Sequence, residues 1–315
     1  VHTFYKKEAT AQQPATSKEE GNLVAFSGPD FKATFDKQSG LLTSYLYKKH
    51  EYILNGQGPR PFFWRAPTDN DYGANLPVRL KAWKEASYQE PKAESFQVTP
   101  GSNATTIKVT YRFPQTDARW DITYKIYASG VIKVDNRFVA EGDQAPMIPR
   151  VGLRMQLPES FTDLTYYGRG PKENYRDRRT SQFIGEYAIP VKDMYEPYVR
   201  PQENNHRTDI YWCALTDKTQ RGLLLIADRT FELNASNYPL ESMDSGDTID
   251  NGAPRTEKTH HRHLTDPLPE KMVDLFIDYR MMGVGGDDSW GATAHEPYLI
   301  RPGKENAIEY GFSLV

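Results

Sequence analysis

An all-β chain folded as two large packed antiparallel sheets is what the sequence predicts, on three observations. Apolar residues recur with period two over most of the chain. Gly, Ser, Asn and Asp clusters interrupt those runs where hairpin turns would fall. Helical periodicity is confined to one short stretch, and strands do not alternate with helices as they would around a parallel sheet. Half-buried strands following one another through hairpins read as antiparallel sheets packed face to face.

Residues 1–22 mix Lys, Glu, Gln, Thr, Pro and Ala without apolar periodicity, so they read as a linker or a torn edge rather than the start of a core element. The domain proper is expected to run from residue 23 to 315. The first hairpin sets residues 31–36 against 41–47 across Lys37-Gln38-Ser39-Gly40. Leu80, Trp83 and Ala86 share one face of a short helix over 77–86, with Pro77 in its first turn. A strand follows at 95–99. Ile107, Val109, Tyr111 and Phe113 then alternate with Lys108, Thr110 and Arg112, and Ile122, Tyr124 and Ile126 with Thr123 and Lys125. Ala128-Ser129-Gly130 turns residues 119–127 into 131–139. Further strands are expected at 152–157, 209–215, 222–227, 231–235, 271–282 and 308–315. No repeat of fixed period appears, which disfavours a propeller or solenoid. Residues 60–75, 171–206 and 244–269 lack strand character, and loops of that length in a compact domain carry function or brace something.

The formal net charge is −3 and no long Lys/Arg block occurs, so a nucleic-acid partner is not expected. The longest apolar run, residues 223–227, is far too short to span a bilayer, and residues 1–22 carry no secretion-signal pattern. The single Cys213 excludes an internal disulfide and leaves the compartment open, cytoplasmic or periplasmic.

Five segments bear on chemistry. Residues 65–73 gather Arg65, Asp69, Asn70 and Asp71, which could ligate a hard cation or sugar hydroxyls, or could brace the loop by capping turn amides. Residues 168–178 are dense in Arg, Glu and Asp, but Pro171 and the missing Lys-Ser/Thr end exclude a phosphate loop; an ion-pair network or ligand contact is left. Residues 193–207 suit a sugar-binding rim or a domain interface. His260, His261 and His263 raise a metal site, yet only two of them would share a strand face. No Gly-x-Ser-x-Gly elbow is present, and Cys213 beside Trp212 reads as core. Last, Gly283-Val284-Gly285-Gly286-Asp287-Asp288-Ser289-Trp290 combines glycines that allow close backbone approach with an indole suited to stacking on a pyranose, or to plugging the sandwich edge.

In order along the chain, Arg65-Ala66-Pro67-Thr68-Asp69-Asn70-Asp71, Gly168-Arg169-Gly170-Pro171-Lys172-Glu173-Asn174-Tyr175, Asp193-Met194-Tyr195, Pro197-Tyr198-Val199, Pro201-Gln202-Glu203-Asn204, His261-Arg262-His263-Leu264 and Gly285-Gly286-Asp287-Asp288-Ser289-Trp290 resemble the C-terminal, small-chain domain of the bacterial family 2 β-galactosidases of the lac-operon type. The resemblance implies a β-supersandwich of the galactose-mutarotase-like type and a place in a larger retaining glycoside hydrolase acting on terminal β-D-galactosides such as lactose, with residues 1–22 as the linker from a preceding domain. It implies that both catalytic glutamates, with magnesium and sodium, belong to a (β/α)₈ barrel absent from this chain, so that no catalytic or metal-binding residue is expected here and the chain alone is expected to be inactive. It assigns Trp290 to the substrate, stacked on the sugar. Asp287 and Asp288 are then expected to brace its loop. Arg65, Asp69, Asn70, Glu173, Asn174, Glu203 and Asn204 are expected to build the face that docks on the barrel, and the full-length enzyme to be a homo-oligomer. Lys172 and Arg176 depart from the family pattern and put fine substrate preference in doubt. Two other classes stay open: an autonomous carbohydrate-binding module and a mutarotase-like aldose epimerase, the second with no His/Glu pair assigned to it.

Overall fold

The computed structural model describes residues 14–140, 142, 146–245, 263–288, 291–301, 303–304 and 306–315. Its architecture is all-β, with every strand pairing antiparallel. Strands β1 (Thr16–Glu20), β2 (Leu23–Ser27), β3 (Phe31–Asp36), β4 (Leu42–Tyr47) and β5 (His50–Glu51) form a five-stranded sheet in chain order. The other strands are β6 (Arg60–Phe62), β7 (Ala93–Thr99), β8 (Ala104–Phe113), β9 (Ala118–Tyr127), β10 (Ile132–Ala140), β11 (Arg150–Pro158), β12 (Asp163–Gly170), β13 (Phe183–Pro190), β14 (Arg207–Thr216), β15 (Gly222–Ser236), β16 (Met272–Met281) and β17 (Ile308–Leu314). They make a twelve-stranded sheet ordered β13-β12-β14-β15-β17-β10-β9-β8-β7, from which β16, β11 and β6 branch at β15.

Alternation in sequence becomes alternation of burial. On β9 the side chains of Trp120, Ile122, Tyr124 and Ile126 point into the core while Arg119, Asp121, Thr123 and Lys125 point out. Phe35 of β3 packs edge-on against Tyr124 at 5.0 Å, which joins the two sheets. Phe63 lies among Trp83, Phe113, Trp120 and Phe138 at centroid distances of 5.1, 4.9, 5.5 and 5.4 Å. Burying each such ring stabilises the fold by roughly 1.5–3 kcal/mol.

Between β6 and β7 run the helices α1 (Asp69–Gly73), α2 (Leu76–Arg79) and α3 (Lys81–Tyr88). Pro77 sits in the first turn of α2, and Leu80, Trp83 and Ala86 are buried as their spacing requires. Ser87 Oγ accepts from Phe63 N at 2.9 Å and so fixes α3 to the chain just after β6.

The structure departs from the sequence expectation at several places, among them β6, which falls in a segment read as lacking strand character, and the helix expected over 77–86, which breaks at Leu80 into α2 and α3. Residues 16–20, read as linker, form edge strand β1: its side chains are all exposed, so backbone pairing with β2 holds it and no apolar alternation could announce it. Residues 183–190, inside a segment read as loop, form edge strand β13, whose side chains are exposed or half-buried. Residues 69–73 are helical, started by a capping box in which the Thr68 side chain and Asp71 satisfy each other's backbone N–H. Residues 222–227 and 231–235 are one strand, β15; exposed Asp228, Arg229 and Thr230 mark where it leaves β17 for β16.

Candidate functional site

The glycine loop that follows β16 is held from two sides. Arg65, leaving β6, is 2% exposed and forks onto Asp71, with Nε 3.0 Å from Oδ2 and Nη2 2.7 Å from Oδ1. The same guanidinium donates to the carbonyls of Met282 at 2.7 Å and Gly283 at 3.1 Å. Asn70, one helical residue on from Asp69, donates to the Val284 carbonyl at 2.9 Å. The capping box of α1 thus sets the side chains that grip the loop.

From the other side comes Asp177. Its carboxylate accepts the backbone N–H of Val284 at 3.2 Å and of Gly285 at 2.7 Å. A Cβ on Gly283 would stand 2.6 Å from Asp177 Oδ2 and 2.8 Å from Ala294 Cβ, and one on Gly285 would stand 3.0 Å from the same oxygen. Glycine at 283 lets the backbone approach this carboxylate closely, and a side chain at either position would make the carboxylate give way. Asp177 lies in a tight turn in which Tyr175 and Arg178 exchange backbone hydrogen bonds at 3.1 and 2.8 Å. The Tyr175 ring, fully buried, stacks on His206 at 5.5 Å.

Asp288 Oδ1 accepts from Ala292 N at 3.3 Å, and Asp287 Oδ1 lies 2.8 Å from exposed His295 Nε2. Ser289 and Trp290 lie outside the described residues, as do His260 and His261.

Beneath the loop the sheet buries charge. Arg150 of β11 has no exposed surface; it donates to the Trp64 carbonyl at 3.1 Å and to Glu203 Oε1 at 2.9 Å, and stacks over Phe276 at 4.2 Å. Its Nε is 3.1 Å from Asp278 Oδ2 but outside hydrogen-bonding geometry, and among the described residues neither Asp278 oxygen accepts a hydrogen bond. Burial pushes the Asp278 carboxyl up to about 7, against the pull of Arg150 and His206 and with the push of Glu232 and Glu203. Glu232 accepts from Met281 N at 2.7 Å, lies 2.9 Å from His206 Nε2 and is reached by Arg176 at 3.5 Å.

The residues expected to face a docking partner divide. Arg65, Asn174, Glu203 and Asn204 are buried by the chain itself and saturated within it, so their side chains are not offered to another domain. Asn174 Oδ1 takes Thr208 N and Oγ1 at 3.0 and 2.7 Å while its amide donates to the Arg169 and Lys172 carbonyls. Glu203 holds Ala66 N at 3.3 Å and Asn234 at 3.1 Å besides Arg150, and Asn204 holds Glu196 N at 3.1 Å. Half-buried Glu173 accepts from Asn205 N, Arg178 and Tyr198. Asp69 remains exposed and bonds Gln202 at 2.9 Å; Asn70 is half-buried. Of the two readings of residues 65–73, this geometry is the self-bracing loop.

Asp177 was not singled out by sequence reasoning, although it stands two residues beyond a recognised motif. Glycines at 283 and 285, two apart, were the available signal of a close neighbour. Cys213 is buried, and burial raises its thiol well above its ordinary value, as fits core rather than nucleophile. Among the described residues, no group of three or more His, Cys, Asp or Glu could hold a metal ion, and no helix is long and apolar enough to cross a membrane. On the outer face of β8–β10 and β17 an open groove of about 1030 Å³ is lined by Lys108, Asp121, Asp135, Arg137, Asp228 and Glu309, among others.

The fold defines the class first. Galactose 1-epimerase from Lactobacillus acidophilus superposes with a TM-score of 0.51 over 95% of this chain and 96% of its own at 7% identity, which makes the architecture a galactose-mutarotase-like β-supersandwich. Residues 27–314 match the family described as "Beta galactosidase small chain", and the chain belongs to that family. The β-galactosidase of Priestia megaterium is 33% identical over 291 residues, covering 92% of this chain and 26% of the relative; that of Halalkalibacterium halodurans is 30% identical over 294 residues, covering 92% and 27%. The chain therefore spans about a quarter of the length of these relatives.

Proposed function

We propose that this chain is the portion of a retaining β-galactosidase that completes the substrate pocket of a separate catalytic barrel, with Trp290 as the aromatic platform under the galactosyl ring. The observation that carries the reading is the anchoring of residues 282–285 from two sides in a chain that spans a quarter of its β-galactosidase relatives. A platform positions substrate and moves no proton, so the chain by itself is inactive and the general acid, nucleophile, magnesium and sodium sit elsewhere in the parent enzyme. Asp69 and Asn70 are the accessible members of the α1 segment for docking on that barrel.

The test is hydrolysis of a chromogenic β-galactoside by the parent enzyme, by the parent lacking these residues, and by the latter with this chain added. Activity is expected in the first and third only. Trp290→Ala in the intact enzyme should raise KM roughly tenfold with a smaller change in kcat. Hydrolysis by the chain alone, or an unchanged KM in Trp290→Ala, overturns the proposal.

A second reading, an autonomous carbohydrate-binding module, draws on the open groove of about 1030 Å³, whose mixed acidic and basic lining suits hydroxyl recognition. Calorimetric titration of the chain with galactose and lactose decides it: heats equal to dilution exclude the module.

A further inference from the structure

Two features of the loop after β16 have one cause. A Cβ on Gly283 would clash with Asp177 Oδ2 at 2.6 Å, and one on Gly285 would crowd the same oxygen at 3.0 Å. The N–H groups of Val284 and Gly285 are aimed at the two oxygens of that carboxylate, at 3.2 and 2.7 Å. An anion accepting two successive backbone amides fixes the direction of the peptide between them as well as its distance, because both donors must converge on one planar group.

The carboxylate is itself fixed from the core. Asp177 occupies the turn closed by the Tyr175 and Arg178 backbone bonds, Tyr175 is buried against His206, and His206 is paired with Glu232. Glu232 in turn accepts the N–H of Met281, the residue that ends β16. Strand end, turn and loop are thus linked in a ring, and Arg176, beside Asp177, reaches the same Glu232 at 3.5 Å.

We infer that Asp177 is a positioning residue for substrate binding: it sets the course of residues 283–285 and, through them, the presentation of the aromatic platform downstream. The inference rests on the platform reading above. Asp177 touches no reacting atom in this scheme. It acts only through the loop, so its effect depends on Trp290 being present.

The experiment is steady-state kinetics of the full-length enzyme on a chromogenic β-galactoside for wild type, Asp177→Ala, Asp177→Asn, Trp290→Ala and Asp177→Ala/Trp290→Ala, with hydrogen exchange over residues 282–288. Asp177→Ala is expected to raise KM roughly fivefold or more while kcat stays within about twofold, and to speed exchange in that segment. Asp177→Asn, which keeps the shape and one acceptor, should fall between wild type and Ala, and serves if the Ala variant does not fold. In the Trp290→Ala background the Asp177→Ala substitution should change KM by less than about twofold. Unchanged KM in Asp177→Ala with a raised KM in Trp290→Ala overturns the positioning role and leaves the platform reading intact. Effects that multiply in the double variant make Asp177 merely structural and also overturn it. Unchanged KM in Trp290→Ala removes the platform reading, and this inference with it.

Discussion

The twelve-stranded sheet buries two kinds of interior. Along β8, β9 and β10 it is closed by rings and aliphatic side chains, with Phe63 and Phe138 in contact with each other and each with both Trp83 and Trp120. Along β11, β14, β15 and β16 it is closed by ionisable side chains: Arg150, Arg154, Glu203, His206, Glu232, Asp274 and Asp278 are all buried. Apolar surface is non-directional, so the first interior can yield to small changes of shape. A buried charge must keep its partner, so the second interior fixes distances and angles, and it is the one that meets the glycine loop at Met281, Met282 and Gly283.

The largest break is expected at Arg150. Arg150→Met removes the cation between Glu203 and Asp278 without shortening the side chain much, leaving the Glu203 carboxylate buried and short of its partner. A loss of about 3–5 kcal/mol is expected from the chemical denaturation midpoint. In the apolar half, Ile122→Val, equally buried, should cost about 0.5–1.5 kcal/mol in the same assay. Equal costs would mean that the two interiors do not differ in kind.

The apolar interior was the legible one. Leu80, Trp83 and Ala86, or Trp120, Ile122 and Tyr124, announce their face by period, since burying them is the reason the period exists. Arg65, Glu203 and Asn204 could be found as motif residues, yet a guanidinium buried on Asp71 reads the same in sequence as one reaching a neighbouring domain. The Thr68-x-x-Asp71 box was a readable start for α1 that the surrounding polar residues obscured. Strands β1 and β13 carry no period because most of their surface stays in solvent. Asp177 meets Val284 and Gly285 across more than a hundred residues, a separation no local pattern spans.

A titration sharpens the comparison further. The Asp278 carboxyl is raised from 3.8 to about 7 by burial. Below about pH 4 it is protonated in both folded and unfolded chains; as pH rises toward 7 the unfolded chain releases the proton while the folded one retains it. Its contribution is therefore complete at low pH and is lost as pH climbs through the folded value, at up to about 1.4 kcal/mol per pH unit. Asp278→Asn, a fixed neutral analogue, should flatten this part of the stability profile between pH 5 and 7, measured by urea midpoints across that range. An unaltered profile would show that Asp278 is ionised throughout and that Arg150 offsets its burial.

The smallest effect is expected where charge is dense but wet. On the groove face, Lys133 lies 3.3 Å from Asp135 and 3.1 Å from Asp228, and burial, which would lower its ammonium, is outweighed by those carboxylates, which raise it. Gly311 makes room for both acids, since a Cβ there would stand 2.5 Å from Asp228 and 2.9 Å from Asp135. The geometry is as close as in the buried frame, but all three side chains are about one-third exposed, so water and salt screen them. Lys133→Met should cost no more than about 1 kcal/mol at low salt and less at 1 M salt. A cost approaching that of Arg150→Met would show that what distinguishes the two interiors is charge itself; a small, salt-erased cost places the distinction in burial.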